Sequence, residues 1–321
     1  MRFISLLTVL AAGLSAPTFA ADAAYPAKSI RFVVPYAPGG SSDVIARILG
    51  VKAGELLGQT FVIDNRPGAG SMLGTDLVAK SPGDGYTVIL SDMPHTINPS
   101  IYAKVPYDPV KDFTPVTLVG TSAMFLFVNP SAPFQTVKDL IAAAKAAPGK
   151  FAIGSGGNGT TTHLSAEIFM QRAGIKLTHV PYKGAGPAMT DVIAGQIPMT
   201  FTSMATAAPH VKSGKVRALG VTARKRVPSY PDIPTFQEAG VPDFIVEHWW
   251  GVLAPAGVTK PVLDTLRGAL TKVITSADTR ERFAVLAVEP TTNTPDEFRK
   301  LLAADVQHWS KVVKDAGIQP N

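Results

Sequence analysis

The stretch FAIGSGGNGTTTHL, residues 151–164, joins an apolar segment to a helix-forming segment through a glycine-rich turn. Residues 154–159 fit the G-x-G-x-x-G fingerprint of dinucleotide-binding proteins. Such a site also requires an Asp or Glu, about twenty residues past the first glycines, that binds the ribose. The corresponding stretch, residues 174–179, contains only Lys176 and His179 as ionisable groups. The sequence therefore argues against a dinucleotide, and we expect no cofactor.

A second loop of the same kind, PYAPGGSSD, occupies residues 35–43. Both loops lie between a predicted strand and a predicted helix. Backbone N–H groups in such a turn point into a concavity, and the first turn of the helix adds unpaired donors with partial positive charge. Neither loop is followed by G-K-[ST], so neither is a P-loop. The sequence thus predicts two anion cradles, one in each half of the chain.

Strand and helix patterns alternate along nearly the whole chain, which predicts an α/β fold with largely parallel sheets. Apolar stretches such as SIRFVVPY at residues 29–36 and YTVIL at 86–90 indicate strands. Extended crossings near residues 121–126 and 246–252 divide the pattern into two α/β units. We therefore expect two lobes with a ligand cleft between them. One continuous doubly wound sheet is the alternative.

The beginning of the chain has the features of a secretory signal peptide. Met1 and Arg2 are followed by an apolar stretch over residues 3–14 and then by small residues. We expect cleavage after Ala20, with Ala23 as the alternative, and a periplasmic location for the mature protein.

Size and composition set further limits. The 321 residues include no cysteine, and the formal net charge is +6 with Lys and Arg scattered along the chain. A chain of this size usually forms two domains that need no disulfides. We expect one lobe from residues 21–122 plus 249–321 and a second lobe from residues 123–248. Scattered basic residues suggest mild attraction to small anions and argue against a nucleic-acid partner.

A search for catalytic motifs favours a binding protein over an enzyme. The six histidines include no HExxH motif and no i,i+4 pair, so we expect no metal site. Thiol chemistry is excluded by the absence of cysteine, and no G-x-S-x-G nucleophile elbow is present. A secreted hydrolase or oxidoreductase acting on a small organic acid is the alternative, and so is a ligand sensor for a signalling kinase.

Six segments in order carry a family resemblance. They are YPAKSIRFVVPYAPGGSSDVIARIL (25–49), VIDNRPGAGSMLGTDLVAKSPGDGYTVIL (62–90), VPYDPVKDFTPVTLV (105–119), THVPYKGAGPAMTDVIAGQI (178–197), PDIPTFQEAGVPDF (231–244) and WWGVLAPAG (249–257). Behind a signal peptide, this series resembles the periplasmic substrate-binding receptors of tripartite tricarboxylate transporters, the Bug family.

The resemblance implies a two-lobed periplasmic binding protein of type II, a Venus flytrap that closes on a small carboxylate. The implied ligand is a di- or tricarboxylate or an aromatic carboxylate, and the implied partners are the membrane permease subunits of such a transporter. We expect a monomer. In the family, two strand-to-helix loops hold the ligand carboxylate, largely through backbone N–H and hydroxyl groups. These loops correspond to residues 36–43 and 155–161 here.

The predicted ligand-binding residues fall into three groups. Those of the first cradle are Tyr36, Ala37, Gly39, Gly40, Ser41, Ser42 and Asp43, and those of the second are Ser155, Gly156, Gly157, Asn158, Gly159, Thr160, Thr161 and His163. Those of an outer pocket, expected to receive the variable end of the ligand, are Ser91, Asp92, Tyr182, Lys183 and Ser203. Asp43 is alternatively a plain helix cap, His163 a satisfied helix residue, and Lys183 a solvated surface lysine. Of Trp249 and Trp250, one is expected to pack in the hinge.

Overall fold

The computed structural model describes residues 25–315, which form two mixed β-sheets with helices packed on them. The predicted signal peptide and its cleavage site lie outside the described residues. Within residues 25–315, none of the helices combines the length and apolar character that a membrane-spanning segment requires.

The first part of the chain builds most of one sheet. Its elements are β1 (Ile30–Val34), α1 (Ser41–Leu57), β2 (Phe61–Asn65), α2 (Met72–Ala79), β3 (Thr87–Asp92), α3 (Pro94–Ile101) and β4 (Phe113–Ala123). Strand β1 pairs in parallel with β2 and with β3, as βαβ units require. The carboxyl ends of β1 and β3 therefore lie side by side, which brings the first cradle next to Asp92.

The middle of the chain builds the second sheet. Its elements are β5 (Phe125–Val128), α4 (Val137–Ala146), β6 (Ala152–Ser155), α5 (Thr161–Ala173), β7 (Thr178–Pro181), α6 (Ala185–Ile193), β8 (Met199–Thr202), α7 (Met204–Lys212) and β9 (Arg217–Val221). Thr136 and Asp139 form a reciprocal capping box at the start of α4.

The last part of the chain returns to the first sheet. Its elements are β10 (Glu247–Pro255), α8 (Lys260–Ile274), α9 (Ala277–Val285), β11 (Glu289–Pro290) and α10 (Pro295–Asp315). The strand order is β11-β4-β10-β3-β1-β2 in the first sheet and β7-β6-β8-β5-β9 in the second. The described residues thus form two separate sheets, and the alternative of one continuous sheet is wrong.

Both sheets are mixed, so the expectation of largely parallel sheets is also wrong. Strand β10 is antiparallel to β3 and β4, and β5 is antiparallel to β8 and β9. The reason is the route of the chain. Strand β4 leaves the first lobe and β10 returns to it alongside, so the two run in opposite directions at the centre of the sheet.

The two crossings between the lobes are tied together by one buried threonine. Thr222 Oγ1 accepts a hydrogen bond from the Met124 amide at 2.9 Å and donates to the Val246 carbonyl at 2.8 Å. Met124 lies between β4 of the first sheet and β5 of the second, and Val246 immediately precedes β10 of the first sheet. The lobe boundaries expected at residues 122/123 and 248/249 stay a proposal.

Candidate ligand-binding site

A cavity of about 430 Å³, a volume that includes its open mouth, lies where the two lobes face each other. Its lining residues are Tyr36, Gly40, Ser41, Ser42, Asp92, Pro94, Met124, Gly156, Thr160, Thr161, Thr162, Ala185, Thr202, Ser203 and His248. Concave sites between lobes with a few convergent polar groups are typical of small-molecule binding. This cavity is the candidate ligand-binding site.

Helices α1, α3, α5, α6 and α7 all begin at the cavity. The residues at their N-termini that line it are Gly40, Ser41, Pro94, Thr160, Thr161, Ala185 and Ser203. The first N–H groups of a helix have no partner within the helix and together carry about half a positive charge. No Lys or Arg is among the described residues of the wall, and no group of three or more His, Asp or Glu within residues 25–315 could hold a metal ion. The arrangement suits an anion held by dipoles and neutral donors.

The hydroxyl of Ser203 adds a free donor to this array. Its side chain is buried, and its Oγ has no hydrogen-bond partner among the described residues. Ser203 is the N-cap of α7, yet its side chain makes no capping hydrogen bond. The hydroxyl is therefore available to a bound molecule.

In the second cradle the glycine turn keeps its own N–H groups occupied. The amides of Gly156, Gly157 and Gly159 donate within the loop, and their acceptors are Thr162 Oγ1 at 2.7 Å, Ser155 Oγ at 3.1 Å and His163 Nδ1 at 3.3 Å. The turn therefore does not offer these three N–H groups to a ligand. This differs from the expectation from the sequence, in which they formed the anion cradle. The turn's hydrogen bonds to Thr162 and His163 instead fix the first turn of α5, where Thr160, Thr161 and Thr162 line the cavity.

The first cradle is braced by Asp43, which does not line the cavity. Asp43 Oδ2 accepts from the Gly39 amide at 3.1 Å, and Oδ1 accepts from Asn65 Nδ2 at 3.1 Å. Arg47 pairs with the same carboxylate at 2.9 Å. Burial acts to raise the pKa of Asp43, but these hydrogen bonds hold it below its usual range. Asp43 therefore acts as an ionised brace for the loop.

Backbone contacts join the lobes on one side of the cavity. The amide of Ala37 donates to the carbonyl of Lys183 across the cleft at 2.9 Å. A Cβ built on Gly186 would lie 2.5 Å from the Pro38 carbonyl oxygen and 2.9 Å from the Gly40 nitrogen. The contact has no room for a side chain, which explains the small residues on both sides.

Two side-chain contacts join the lobes elsewhere around the cavity. Tyr102 Oη donates to the Asn158 carbonyl at 2.8 Å, so the tip of the glycine turn packs on the first lobe. Thr161 Oγ1 lies 2.9 Å from His248 Nδ1 and links the start of α5 to β10. The lobes are therefore closed on each other around the cavity.

Asp92, at the end of β3, is the one carboxyl group among the described residues of the cavity wall. Its Oδ1 accepts from Tyr36 Oη at 2.9 Å and its Oδ2 from Ser42 Oγ at 3.3 Å. Burial raises the pKa of Asp92 to about 7, against hydrogen bonds that lower it. His248 Nε2 lies 3.7 Å from Oδ2, and burial lowers the pKa of His248 to about 3. The imidazole is therefore neutral near pH 7 and brings no positive charge to Asp92.

Several predicted residues lie outside the cavity wall. They are Ala37, Gly39, Asp43, Ser91, Ser155, Gly157, Asn158, Gly159, His163, Tyr182 and Lys183. Lys183 is exposed, and Tyr182 donates its hydroxyl to Asp191 Oδ2 at 2.6 Å. His163 Nε2 faces Glu167 Oε1 at 3.6 Å. The structure does not bring these side chains to the cavity, and ligand contact by any predicted residue stays a prediction.

Sequence reasoning missed Pro94, Met124, Ala185, Thr202 and His248, all of which line the cavity. Ala185 carried a usable signal, because KGAG at residues 183–186 is a third glycine turn between a strand and a helix. His248 carried none, since it belongs to a strand without a motif and reaches the cavity only through sheet pairing.

The two tryptophans of β10 point to opposite faces of the sheet. Trp250 Nε1 donates to Ser42 Oγ at 3.2 Å, so this ring lies behind the cavity wall. Trp249 Nε1 donates to Asp305 Oδ2 of α10 at 2.7 Å. Both rings are buried, and neither lines the cavity.

Comparison with known proteins gives the family. The model of the tripartite tricarboxylate transporter family receptor matches residues 45–318. The chain belongs to this family. Protein BugT of Bordetella pertussis is 37% identical over 324 residues, which cover 99% of each chain. The resemblance to the Bug family is confirmed.

Solved structures confirm the two-lobed fold of this family receptor. The periplasmic binding protein BugD has a TM-score of 0.90 at 33% identity, over 92% of this chain and 100% of that one. Rpa4515 of R. palustris, solved with adipate, has a TM-score of 0.89 at 34% identity over 92% and 100%. MatC from Rhodopseudomonas palustris, solved with bound malate, has a TM-score of 0.85 at 29% identity over 90% and 100%. The family and these neighbours are periplasmic binding proteins, and the receptor is a binding protein rather than an enzyme.

Proposed function

We propose that this receptor binds a small organic carboxylate in the cavity and delivers it to the membrane permease subunits of a tripartite tricarboxylate-type transporter. The ligand class is a di- or tricarboxylate or an aromatic carboxylate. The observation that carries the proposal is the convergence of five helix N-termini on a cavity whose described wall contains no lysine or arginine. Adipate and malate in the solved relatives support the same ligand class.

Neutral donors suit a receptor that must release its cargo. A buried ammonium or guanidinium would itself have to be desolvated each time the lobes close. Helix N–H groups are uncharged and cost much less to desolvate, and each hydrogen bond to a charged group contributes about 1.5–3 kcal/mol. Because the donors come from both lobes, their full number surrounds the ligand only in the closed state.

Export, location and assembly are part of the same proposal. The receptor family is periplasmic in its solved members, and Met1 and the charged Arg2 are followed by an apolar stretch. We place the cleavage of a signal peptide near Ala20. The mature receptor then acts in the periplasm as a monomer, without a nucleic-acid partner.

A thermal-shift panel tests the ligand class. Adipate, malate, citrate, terephthalate and benzoate are compared with uncharged sugars and with amines at the same concentration. At least one carboxylate is expected to raise Tm by several degrees, since a ligand at a hundred times its Kd stabilises the bound state by about 2.7 kcal/mol. A panel in which only sugars or amines raise Tm would contradict the proposal.

Ser203→Ala separates binding from folding. We expect ligand affinity to fall about tenfold, because one hydrogen bond to a carboxylate is lost. The unliganded protein should be equally stable or slightly more stable, because a buried hydroxyl without a partner is removed. Titration calorimetry and thermal unfolding measure the two effects. Ser213→Ala, at the other end of the same helix, is the matched control and should leave affinity unchanged; equal affinities for all three proteins would remove Ser203 from the site.

A further inference from the structure

Asp92 is an unexpected group in a cavity that suits an anion. It is 4% exposed and lies at the junction of β3 with α3, against the start of α1 through Ser42. A ligand carboxylate held by the first turn of α1 would therefore lie close to the Asp92 carboxyl group. This inference rests on the proposed function and concerns how the same site accepts an anion beside its own carboxyl group.

The groups that face Asp92 bring it no positive charge. Tyr36 approaches from the loop after β1, Tyr107 from the segment after α3 and His248 from β10. Burial, and to a lesser degree the charge of Asp92, raises the pKa of Tyr107 to about 12, so both the phenol and the neutral imidazole are uncharged near pH 7. The neighbouring carboxylate of α1, Asp43, is turned away and paired with Arg47.

Two carboxylates at such close range do not both stay ionised in a site shielded from water. At about 5 Å and an effective dielectric constant of about 20, their repulsion would weaken binding on the order of a hundredfold. Paired carboxyl groups in proteins relieve this repulsion by sharing one proton. In Asp92 each oxygen accepts one described hydrogen bond, which leaves room for a proton directed at the ligand.

We propose that Asp92 is a ligand-binding residue that meets the anion as a neutral carboxylic acid and donates a hydrogen bond to the ligand carboxylate. The proton comes from solvent and stays on Asp92 until the ligand leaves. At pH 8, where the unliganded carboxyl group with its pKa of about 7 is mostly ionised, each carboxylate that binds is therefore accompanied by about one proton.

Calorimetry in two buffers measures the proton directly. The full mature receptor is titrated with adipate and with L-malate at pH 8, in phosphate and in Tris, whose ionisation enthalpies differ. The wild type is expected to take up close to one proton per ligand and to bind about tenfold more weakly for each pH unit above 7. Asp92→Asn should take up no proton and show a Kd independent of pH. Asp264→Asn, which changes an exposed carboxyl group on α8, is the control and should behave as the wild type.

Thermal unfolding without ligand gives a second readout. The pKa of Asp92 in the folded protein is about 7, above its ordinary value of 3.8. A carboxyl group whose pKa is raised in the folded protein contributes its full share to the free energy of unfolding below pH 4. This contribution is lost as pH rises from 4 towards 7. The Tm of Asp92→Asn minus that of the wild type should therefore be larger at pH 8 than at pH 4. A Tm difference that does not change with pH would overturn the inference.

The remaining outcomes separate the inference from the proposed function. Binding of adipate or malate without proton uptake overturns the inference alone. Binding of ammonium-bearing acids such as L-aspartate without proton uptake, with no binding of plain dicarboxylates, would also overturn it, since Asp92 would then be an ionised partner. Failure of every carboxylate in the thermal-shift panel overturns both.

Discussion

Gly40→Val is expected to weaken ligand binding by about 100-fold or more while the protein remains folded. Gly40 has φ −81° and ψ 170°, a backbone conformation open to any residue, so valine strains nothing locally. Its Cβ, however, would lie 3.5 Å from the Gly186 nitrogen and 3.8 Å from the Ala185 nitrogen of the opposite lobe. The two γ-carbons would then enter either the lobe contact or the cavity. In either position they oppose the closed, liganded state.

Gly40→Ala is the matched control for this prediction. Its Cβ meets the opposite lobe at ordinary van der Waals distance, and alanine is as poor an N-cap as valine. The alanine variant should therefore share any loss of helix stability yet bind within a few-fold of the wild type. Titration calorimetry gives the affinities and circular dichroism checks folding. Comparable affinities for the valine variant and the wild type would show that the lobes do not close through this contact.

Trp250→Ala is expected to have the largest effect on stability, about 3–5 kcal/mol. The side chain is fully buried in the core of the first lobe, on the strand between β3 and β4. Its ring lies edge-on to His248 at 4.4 Å, and its Nε1 holds Ser42 at the start of α1. Removing it opens a cavity behind the ligand-binding wall.

Trp250→Phe restores most of the buried ring and should recover most of the stability, without the hydrogen bond to Ser42. Urea unfolding followed by circular dichroism measures the midpoint of each variant. The account predicts the order wild type, Phe, Ala. A Trp250→Ala midpoint within experimental error of the wild type would mean that Trp250 does not support the first cradle.

The elements around the cradles could be predicted from the sequence because each is a short apolar strand followed by a glycine turn. Helices α3, α7 and α9 were not predicted. Helix α3 contains Pro99 and α7 contains Pro209, and proline normally interrupts the pattern by which a helix is recognised. Helix α9 is largely polar, with Phe283 as its buried apolar residue. The missed starts of α3 and α7 are two of the N-termini that meet at the cavity.

The chemistry of the site was less accessible to sequence reasoning than its location. The glycine turn at residues 154–159 showed where the second cradle lies, but not that its amides are used within the loop. Only the pairing of β10 with β3 and β4 in the folded sheet shows that His248 lies against Thr161 and Asp92. No pattern of residue types along the chain indicates that a carboxyl group at position 92 would be buried among neutral donors.

The most direct test of the whole account is a crystal structure of the receptor with the carboxylate that raises Tm most. The account predicts one carboxylate group inside the cavity, with its oxygens about 2.7–3.2 Å from N–H groups in the first turns of α1 and α5. A ligand lodged outside the cavity, or one whose carboxylate is held chiefly by a Lys or Arg side chain, would contradict it.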